Sequence, residues 1–406
     1  MNSGTNALAR GAGNIGPGTV TVLEVVPNLD PRFGGLASSV PDYCQAMSVF
    51  GRYSVSLAAF CRPDEASPEE MPFRIERFPL GRTAWLRNPS CLRSLEQHVR
   101  EADAVHVHGL WTEHCLLASG LARRARKPYV ISAHGMLEAW ALRQKAWKKR
   151  IYSLLFERRN LAKAQCLRAL TRSEAEDYRR FGVASPIVVL PNGVNYPASP
   201  SANTFLERFP EAAGKRIILF LSRLHRKKGL DLLCQAWPAV SRAHSDSHLV
   251  IAGPDSDGTR SRVEAMLPDL GAGNSVTMAG MLKGEMKWSA LAAASIFVLP
   301  SYSEGFSIAV LEALAARCPV VITRQCNFPE IEEKGAGVQI EPDKDQLADA
   351  LISLLSLPSH SLASMGQTGR ALVDERFNWK VIARHGSEVY DWVRGGPLPR
   401  SVEVIQ

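Results

Sequence analysis

The stretch SIFVLPSYSEGFSIAVLEALAARCPVVIT, residues 295–323, decides the fold class of this chain. An apolar run at 296–299 is followed by a turn-rich segment at 300–305, by helix-forming residues at 308–316 and by a second apolar run at 320–322. These signals predict a strand, a loop, a helix and another strand, which is the repeating unit of a parallel α/β sheet.

The predicted loop and helix carry two acids, Glu304 and Glu312. Parallel sheets bind ligands at the carboxyl ends of their strands, where the N–H groups and dipole of the next helix favour anions. Carboxylates fit such a place if they accept hydrogen bonds from hydroxyls, as an acidic residue does from ribose. The pair therefore indicates a nucleotide that carries a sugar, although two solvated glutamates on an ordinary helix would give the same spacing.

Length and composition limit the architecture. A chain of 406 residues exceeds one ordinary core and predicts two or three domains. No apolar run approaches the roughly 20 residues of a transmembrane helix, and the N-terminal residues lack a signal-peptide core. The eight cysteines form neither a C-x-x-C pair nor a Cys–His cluster. We therefore expect a cytoplasmic chain with reduced thiols and no metal site.

The net charge of +8 is concentrated in the first half of the chain. Within it, residues 121–180 hold 16 basic and five acidic side chains, and the basic ones alternate with Trp140, Trp147, Tyr152, Leu154, Leu155 and Phe156. Such a surface can dock on the anionic inner face of a plasma membrane. A solvated helix face is the alternative. We expect no nucleic-acid binding, because the other motifs already account for a nucleotide ligand.

Strand and helix signals alternate through residues 19–196, after a tail at 1–18 that we expect to be flexible. The tail's GAGNIG precedes the first predicted strand and is therefore not a dinucleotide fingerprint, which must follow one. Gly34 and Gly35, after that strand, would let the backbone approach a phosphate or sugar closely, although a simple tight turn is the alternative. The alternation predicts a doubly wound parallel sheet.

Three histidines lie at or near the ends of predicted strands: His106, His108 and His134. Strand ends are the ligand-binding edge of such a sheet. We favour His134 as a polar contact to the ligand, whereas a hydrogen-bonded structural role is about equally expected for His106 and His108.

The second half starts after a link at 197–214 that is rich in Pro, Ser and Ala, and a second α/β domain is predicted at 215–376. In it, a strand is followed by Arg223 and Lys228 and then by a helix start, so two cations occupy a place suited to a diphosphate. A solvated basic loop is the alternative. The triplet at 255–257 is interpreted as a turn rather than a metal site. A C-terminal helix at 377–395 is expected to pack back on the first domain.

Several of these segments together resemble the retaining glycosyltransferases of the group 1 type, family four. They are the E-x7-E pair at Glu304 and Glu312, SRLHRKKG, LPNGVN, IAGPD and FGG, and the resemblance extends from about residue 20 to 393. It implies the GT-B fold, with two Rossmann-like doubly wound parallel-sheet domains facing across a cleft.

The resemblance also implies roles for individual residues. Arg223 and Lys228 would bind the donor diphosphate and replace a metal, Glu304 would hold the donor sugar and Glu312 the ribose. Backbone N–H groups of Gly305, Phe306 and Ser307 would contact sugar and phosphate. Gly34, Gly35 and His134 would reach the ligand from the first domain.

The implied activity is transfer of a sugar from a UDP- or GDP-type donor to an acceptor hydroxyl, with retention of anomeric configuration and without a cofactor. The acceptor would be lipid-linked or an oligosaccharide, in bacterial cell-surface or exopolysaccharide synthesis. The alternatives are a nucleotide-sugar epimerase of similar architecture, which would need no acceptor, and a binding module without turnover.

Overall fold

The computed structural model describes residues 18–30, 35–61, 71–79, 89–255, 257–269 and 275–406. The chain divides into two compact units, one made of Met1–Gly193 with Trp379–Gln406 and the other of Val194–Asn378. The predicted tail falls almost entirely outside the described residues.

The first unit begins with alternating strands and helices. The strands are β1 (Val20–Val26), β2 (Tyr53–Cys61), β3 (Arg74–Pro79), β4 (Ala104–His108), β5 (Tyr129–Ser132), β6 (Cys166–Ala169) and β7 (Ile187–Val189). The helices are α1 (Leu36–Val49), α2 (Pro89–Glu101), α3 (Glu113–Arg124), α4 (Ala139–Arg143), α5 (Ala146–Tyr152), α6 (Arg158–Ala162) and α7 (Arg172–Arg180), with a π-helical turn at Ser153–Glu157.

The second unit repeats the pattern. Its strands are β8 (Arg216–Leu221), β9 (Ser247–Ala252), β10 (Val276–Gly280), β11 (Ala294–Leu299), β12 (Val320–Thr323) and β13 (Gly337–Ile340). Its helices are α8 (Asn203–Arg208), α9 (Leu230–Ala243), α10 (Thr259–Asp269), α11 (Gly284–Ala293), α12 (Ile308–Ala315), α13 (Glu330–Lys334), α14 (Lys344–Leu355) and α15 (Ser359–Leu372). Short 3-10 turns lie at Pro210–Ala212, Arg226–Lys228 and Arg324–Cys326, and a π-helical turn at Val373–Phe377. The sheet order is β10-β9-β8-β11-β12-β13, with parallel pairing.

The chain then returns to the first unit through α16 (Trp379–Val393) and β14 (Glu403–Ile405). β14 pairs antiparallel with β7 and completes a sheet of order β14-β7-β6-β5-β4-β1-β2-β3, whose other pairs are parallel. α16 packs on α1, where the Tyr43 ring lies 6.1 Å from Trp379 and 6.5 Å from Tyr390.

Central strands such as β4 and β9 are buried along their whole length. A parallel sheet covered by helices on both faces requires this, which explains why the strands appear in the sequence as continuous apolar runs. The prediction of two doubly wound parallel-sheet α/β domains is confirmed. Among the described helices, none has both the length and the apolarity needed to cross a membrane.

The domain limits differ from those expected from composition. The segment 197–214, expected to be a link, contains α8, and Phe205 of that helix is fully buried in the core of the second unit. The Phe205 backbone N–H donates to Ser289 Oγ on α11 at 2.8 Å. The prediction of a link was wrong here, because the Pro- and Ser-rich composition around Phe205 gave no sign of a helix packed in the core.

Candidate functional site

The turn after β8 contacts the loop after the neighbouring strand β11. Tyr302 N–H donates to the Lys227 carbonyl at 2.8 Å. Gly229 has φ +67°, and a Cβ placed on it would lie 1.9 Å from the carbonyl oxygen of Pro300. Only glycine therefore permits this approach of the two backbones, which brings Lys228 and Glu304 to the same edge of the sheet.

Glu304 is held from several sides. Its Oε1 accepts from Ser301 Oγ at 2.9 Å and from Lys228 Nζ. Its backbone N–H donates to the Gln325 carbonyl at 3.0 Å, and its carbonyl accepts from Asn327 Nδ2 at 2.6 Å. The loop after β11 is thereby attached to the segment after β12, which fixes the carboxylate in place.

Lys228 and Glu304 form a nearly enclosed ion pair, with side chains 12% and 10% exposed. Burial alone would raise the pKa of Glu304, but the charge and hydrogen bond of Lys228 outweigh it and hold the pKa below its ordinary value. Glu304 is therefore ionised at neutral pH. Among the described residues, the side chains that contact the Glu304 carboxylate, Lys228 and Ser301, both donate to Oε1. Oε2 can therefore accept a hydrogen bond from a ligand hydroxyl.

Glu312 lies on α12 and pairs with Lys287 of α11 through its Oε1. Its Oε2 has no recorded partner among the described residues and is available to a second hydroxyl. Glu304 and Glu312 thus have different cationic partners. The sequence did not point to Lys287 or Ser301, because neither belongs to a recognisable motif.

The N-terminus of α12 presents the predicted backbone donors. Ser307 is its N-cap in extended conformation, without a side-chain capping bond. Among the described residues, no partner is recorded for the backbone N–H groups of Gly305, Phe306 and Ser307. The Phe306 ring is 6.2 Å from both Phe328 and Phe377, which anchors this segment to the core. Uncapped N–H groups at a helix start favour an anion.

Arg223 is exposed and follows β8 at the same edge of the sheet. The structure pairs Lys228, and not Arg223, with Glu304. The neighbouring Asp255 Oδ1 accepts from the backbone N–H groups of Asp257 at 3.3 Å and Thr259 at 3.0 Å, as in a turn that opens a helix. Ser256 lies outside the described residues.

In the first unit, Gly35 is the N-cap of α1, and a Cβ on it would meet nothing within 4 Å. Gly34 lies outside the described residues. His134 follows β5 with φ +54°, and the next backbone N–H, of Gly135, donates to Glu174 Oε1 at 2.7 Å. Glu174 thereby fixes the segment that carries the predicted histidine.

His134 belongs to a buried network that the sequence did not predict. His134 Nε2 is 2.9 Å from His108 Nδ1, and His108 Nε2 is 2.6 Å from Glu24 Oε2. His106 Nδ1 lies 3.2 Å from the same oxygen and 2.7 Å from the Tyr390 hydroxyl. A detectable signal was present, because Glu24 is an acid inside the apolar strand TVTVLEVV, where it needs partners.

Glu24, His106 and His108 are close enough to be considered metal ligands. Two ligands bound to one metal ion at about 2 Å are roughly 3 Å apart or more. The 2.6 Å between Glu24 and His108 is the length of a charge-assisted hydrogen bond, so we interpret the group as a hydrogen-bonded network. His106 and His108 therefore have structural partners, whereas the ligand contacts of Arg223, Lys228, Glu304, Glu312 and His134 stay predictions.

Comparison with known proteins identifies two families. Residues 34–193 match the family described as "Glycosyl transferase 4-like domain", and residues 203–372 match "Glycosyl transferases group 1". The two matches together span most of the chain and divide it near the boundary between the two units.

Curated relatives align along nearly the whole chain. The GDP-mannose-dependent monoacylated alpha-(1-6)-phosphatidylinositol monomannoside mannosyltransferase of Corynebacterium glutamicum is 27% identical, over 89% of this chain and 95% of that protein. The GDP-mannose:cellobiosyl-diphosphopolyprenol alpha-mannosyltransferase of Komagataeibacter xylinus is 24% identical, over 95% of this chain and 96% of that protein. Both are transferases, so the epimerase alternative gains no support.

Solved structures share the fold. Sucrose-phosphate synthase of Thermosynechococcus elongatus superposes with a TM-score of 0.73 at 20% identity, over 92% of this chain and 99% of that one. HepE of Anabaena, solved with UDP-glucose, gives 0.74 at 19% identity over the same shares. Because the two family matches together span most of the chain and the solved structures share its fold, the chain belongs to the group 1 glycosyltransferases of family four, with the GT-B fold.

Proposed function

We propose that the enzyme transfers mannose from GDP-mannose to a hydroxyl of a lipid-linked acceptor, with retention of anomeric configuration and without a metal ion. The observation that carries the proposal is the Lys228–Glu304 pair beside the uncapped N-terminus of α12. At one sheet edge, a cation and free N–H groups match the diphosphate of a nucleotide sugar, and a carboxylate matches its hydroxyls.

Departure of the diphosphate is the step that this edge can assist. Negative charge grows on the leaving phosphate in the transition state, and fixed cations and N–H donors stabilise it there. Lys228 has three ammonium hydrogens and gives one to Glu304, so the others can reach phosphate oxygens. Arg223 is an exposed cation at the same strand end and would supplement it.

Retention without an enzyme nucleophile is consistent with the surroundings of Glu304. A carboxylate that accepts from both Lys228 and Ser301 is suited to hold hydroxyls rather than to attack a sugar carbon. We therefore propose that the acceptor attacks on the face from which the diphosphate leaves. The anomeric configuration of the product, measured from the one-bond carbon–proton NMR coupling at C1, tests retention, and an inverted product would contradict the proposal.

The donor and acceptor are proposed from the relatives' names. The two mannosyltransferases are named for GDP-mannose, and their named acceptors are a phosphatidylinositol mannoside and a diphosphopolyprenol saccharide. Such acceptors are amphiphilic and lie in a membrane, as precursors of cell-surface saccharides do. The enzyme would therefore work at the cytoplasmic face of the membrane.

The first unit offers a surface for that contact. On α5 and the following π turn, Trp147 is 67% exposed, Leu154 68% and Leu155 62%. Lys148 and Arg150 are exposed on the same segment. Lys149 is not among the cations that we expect to contact the membrane, because its Nζ donates to the Ala141 carbonyl at 2.6 Å. Exposed apolar side chains flanked by cations are typical of helices that lie in an anionic membrane surface.

Sedimentation with vesicles tests this surface. We expect binding to vesicles that contain anionic phospholipid and at least a tenfold loss of it in Lys148→Glu/Arg150→Glu, since each cation contributes about 1 kcal/mol. The matched control is Lys215→Glu/Lys334→Glu, which reverses two exposed charges in the second unit. Equal loss in both variants, or binding to neutral vesicles alone, would contradict membrane docking.

The activity is tested with a panel of nucleoside diphosphate sugars in the presence of EDTA. We expect release of GDP from GDP-mannose, slow with water and faster with a lipid-linked saccharide acceptor. UDP-glucose is the comparison donor. Failure of every donor, a requirement for added divalent metal, or conversion of the sugar nucleotide into its epimer would each overturn the proposal.

A further inference from the structure

The buried network of the first unit forms a continuous line from Glu24 to His134. Glu24 Oε2 and His108 Nε2 are 2.6 Å apart, and His108 Nδ1 and His134 Nε2 are 2.9 Å apart. The His108 and His134 rings have centroids 5.2 Å apart. Glu24 and His108 are completely buried, so water does not compete for the bond between them, whereas His134 is half-buried at the end of the line.

The charge on Glu24 determines where the protons lie. Burial would raise the pKa of Glu24, but the contacts with His106 and His108 outweigh burial and hold the pKa far below its ordinary value. Burial lowers the pKa of His108 to about 3, so its imidazole is neutral and has one N–H. An ionised carboxylate only accepts hydrogen bonds. The His108 proton is therefore on Nε2, and its Nδ1 is an acceptor.

The orientation of His134 follows from that of His108. Because His108 Nδ1 accepts, His134 must donate through its Nε2–H. Burial lowers the pKa of His134, and His108, Arg168 and His106 lower it further against the opposing effect of Glu24. His134 is thus neutral as well, and its remaining ring nitrogen, Nδ1, carries a lone pair.

The other oxygen of Glu24 is also committed. Tyr390 of α16 donates its hydroxyl to Glu24 Oε1 and lies 2.7 Å from His106 Nδ1. His106 Nε2 is in turn 2.8 Å from Ser132 Oγ. The bond from Tyr390 holds the carboxylate in one orientation, so that Oε2 faces His108.

We propose that Glu24 and His108 are positioning residues that fix His134 in its Nε2–H tautomer, so that Nδ1 accepts a hydrogen bond from a hydroxyl of the sugar substrate. The ligand class follows from the chemistry, because a neutral acceptor nitrogen attracts a hydroxyl and repels a phosphate oxygen. The assignment of the substrate rests on the proposed function, whereas the tautomer is a property of the protein alone.

Long-range proton–nitrogen NMR correlation of histidine-labelled protein tests the tautomer without any substrate. His134 is assigned by the loss of its signals in His134→Gln. We expect the neutral Nε2–H form between pH 5.5 and 8 in the wild type, and loss of this single form in Glu24→Gln, whose amide can also donate to His108. Ser132→Ala is the matched control, because the Ser132 hydroxyl contacts His106 and not Glu24, His108 or His134. It should leave the His134 signals in place.

An Nδ1–H tautomer or a protonated ring in the wild type would overturn the inference, and so would an unchanged tautomer in Glu24→Gln. The wild-type spectrum decides the question even if Glu24→Gln does not fold. Kinetics supply the second readout: Glu24→Gln should lower kcat/KM about tenfold, the scale of one hydrogen bond, with unchanged affinity for GDP. Unchanged kcat/KM alongside a changed tautomer would overturn the hydroxyl contact, whereas absence of turnover in the wild type concerns only the proposed function.

Discussion

Replacing Lys228 by alanine separates the two roles that its side chain plays. In the structure the ammonium group neutralises Glu304, and in the proposed reaction it stabilises the departing diphosphate. The variant should therefore lose turnover and stability for different reasons. The two losses can be measured independently.

Their sizes follow from the geometry. Loss of one fixed donor to a developing anion costs about 100- to 1,000-fold in kcat, or roughly 2.7–4 kcal/mol. Removing one partner of an enclosed ion pair costs about 3–5 kcal/mol of folding free energy. Because Glu304 keeps its hydrogen bond from Ser301 and both side chains are about a tenth exposed, we expect about 2–3 kcal/mol here.

The assay combines steady-state kinetics at saturating GDP-mannose with urea unfolding of the same preparations. In the double variant Lys228→Ala/Glu304→Ala no uncompensated carboxylate remains, so most of the lost stability should return. Turnover should stay low, because the contact to the diphosphate is still missing. Arg226→Ala is the matched control: it removes one positive charge from the same 3-10 turn, at an exposed position.

Lys228 does not stabilise the departing diphosphate if Lys228→Ala retains kcat within about threefold of wild type, which is less than a quarter of the expected loss in kcal/mol. This role is equally refuted if the double variant regains turnover together with stability, since Lys228 would then act only through Glu304. If Arg226→Ala lost as much kcat as Lys228→Ala, the loss would be due to the reduced positive charge of the turn and not to the Lys228 contact.

Three further outcomes are expected. Glu304→Ala should reduce turnover of the sugar nucleotide, while isothermal titration should show a GDP affinity within about threefold of wild type. The reason is that the second oxygen of Glu304 is proposed to bind sugar hydroxyls rather than the nucleotide, so a parallel loss of GDP binding would contradict this role. Gly229→Ala should lower the free energy of unfolding in urea by about 2–4 kcal/mol, because the residue has φ +67° and its new Cβ would lie 1.9 Å from the Pro300 carbonyl oxygen. Gly335→Ala, at φ +73° with nothing within 4 Å of the new Cβ, should lower it by only about 1–2 kcal/mol. Equal losses in the two variants would argue against the close contact at Gly229. Burial raises the pKa of Glu157 to about 7, so between about pH 4.5 and pH 7 the folded protein holds a proton that the unfolded chain releases, and the free energy of unfolding falls as pH rises through this range. Glu157→Gln should therefore stabilise the protein by up to about 3 kcal/mol more at pH 8 than at pH 5. A gain in stability that does not depend on pH would contradict this.

The architecture was accessible from the sequence because parallel strands are buried on both faces and leave continuous apolar runs. The stretches that became β8, β9 and β11 could be recognised in this way. Strand order could not be obtained from such runs. That β8 lies next to β11, which brings Lys228 to Glu304 across 76 residues of sequence, is a result of tertiary packing.

The side chains that contact the predicted site residues could not be predicted from the sequence. Lys287 of α11 meets Glu312 of α12 across 25 residues of sequence, and no local pattern encodes that contact. Glu24 was accessible in principle, since an acid in the middle of a buried strand requires compensation. Its partners come from β4 and α16, which no spacing rule connects with β1.

The return of the chain from the second unit to the first has a consequence for biosynthesis. Val194–Asn378 is continuous, whereas the first unit needs Trp379–Gln406, including Tyr390 and the edge strand β14. On the ribosome, the later-made unit can finish folding while the earlier-made one still lacks its last helix. We therefore expect nascent chains stalled shortly after the second unit has left the exit tunnel to resist protease in that unit first, and protection of the amino-terminal half to appear only upon release.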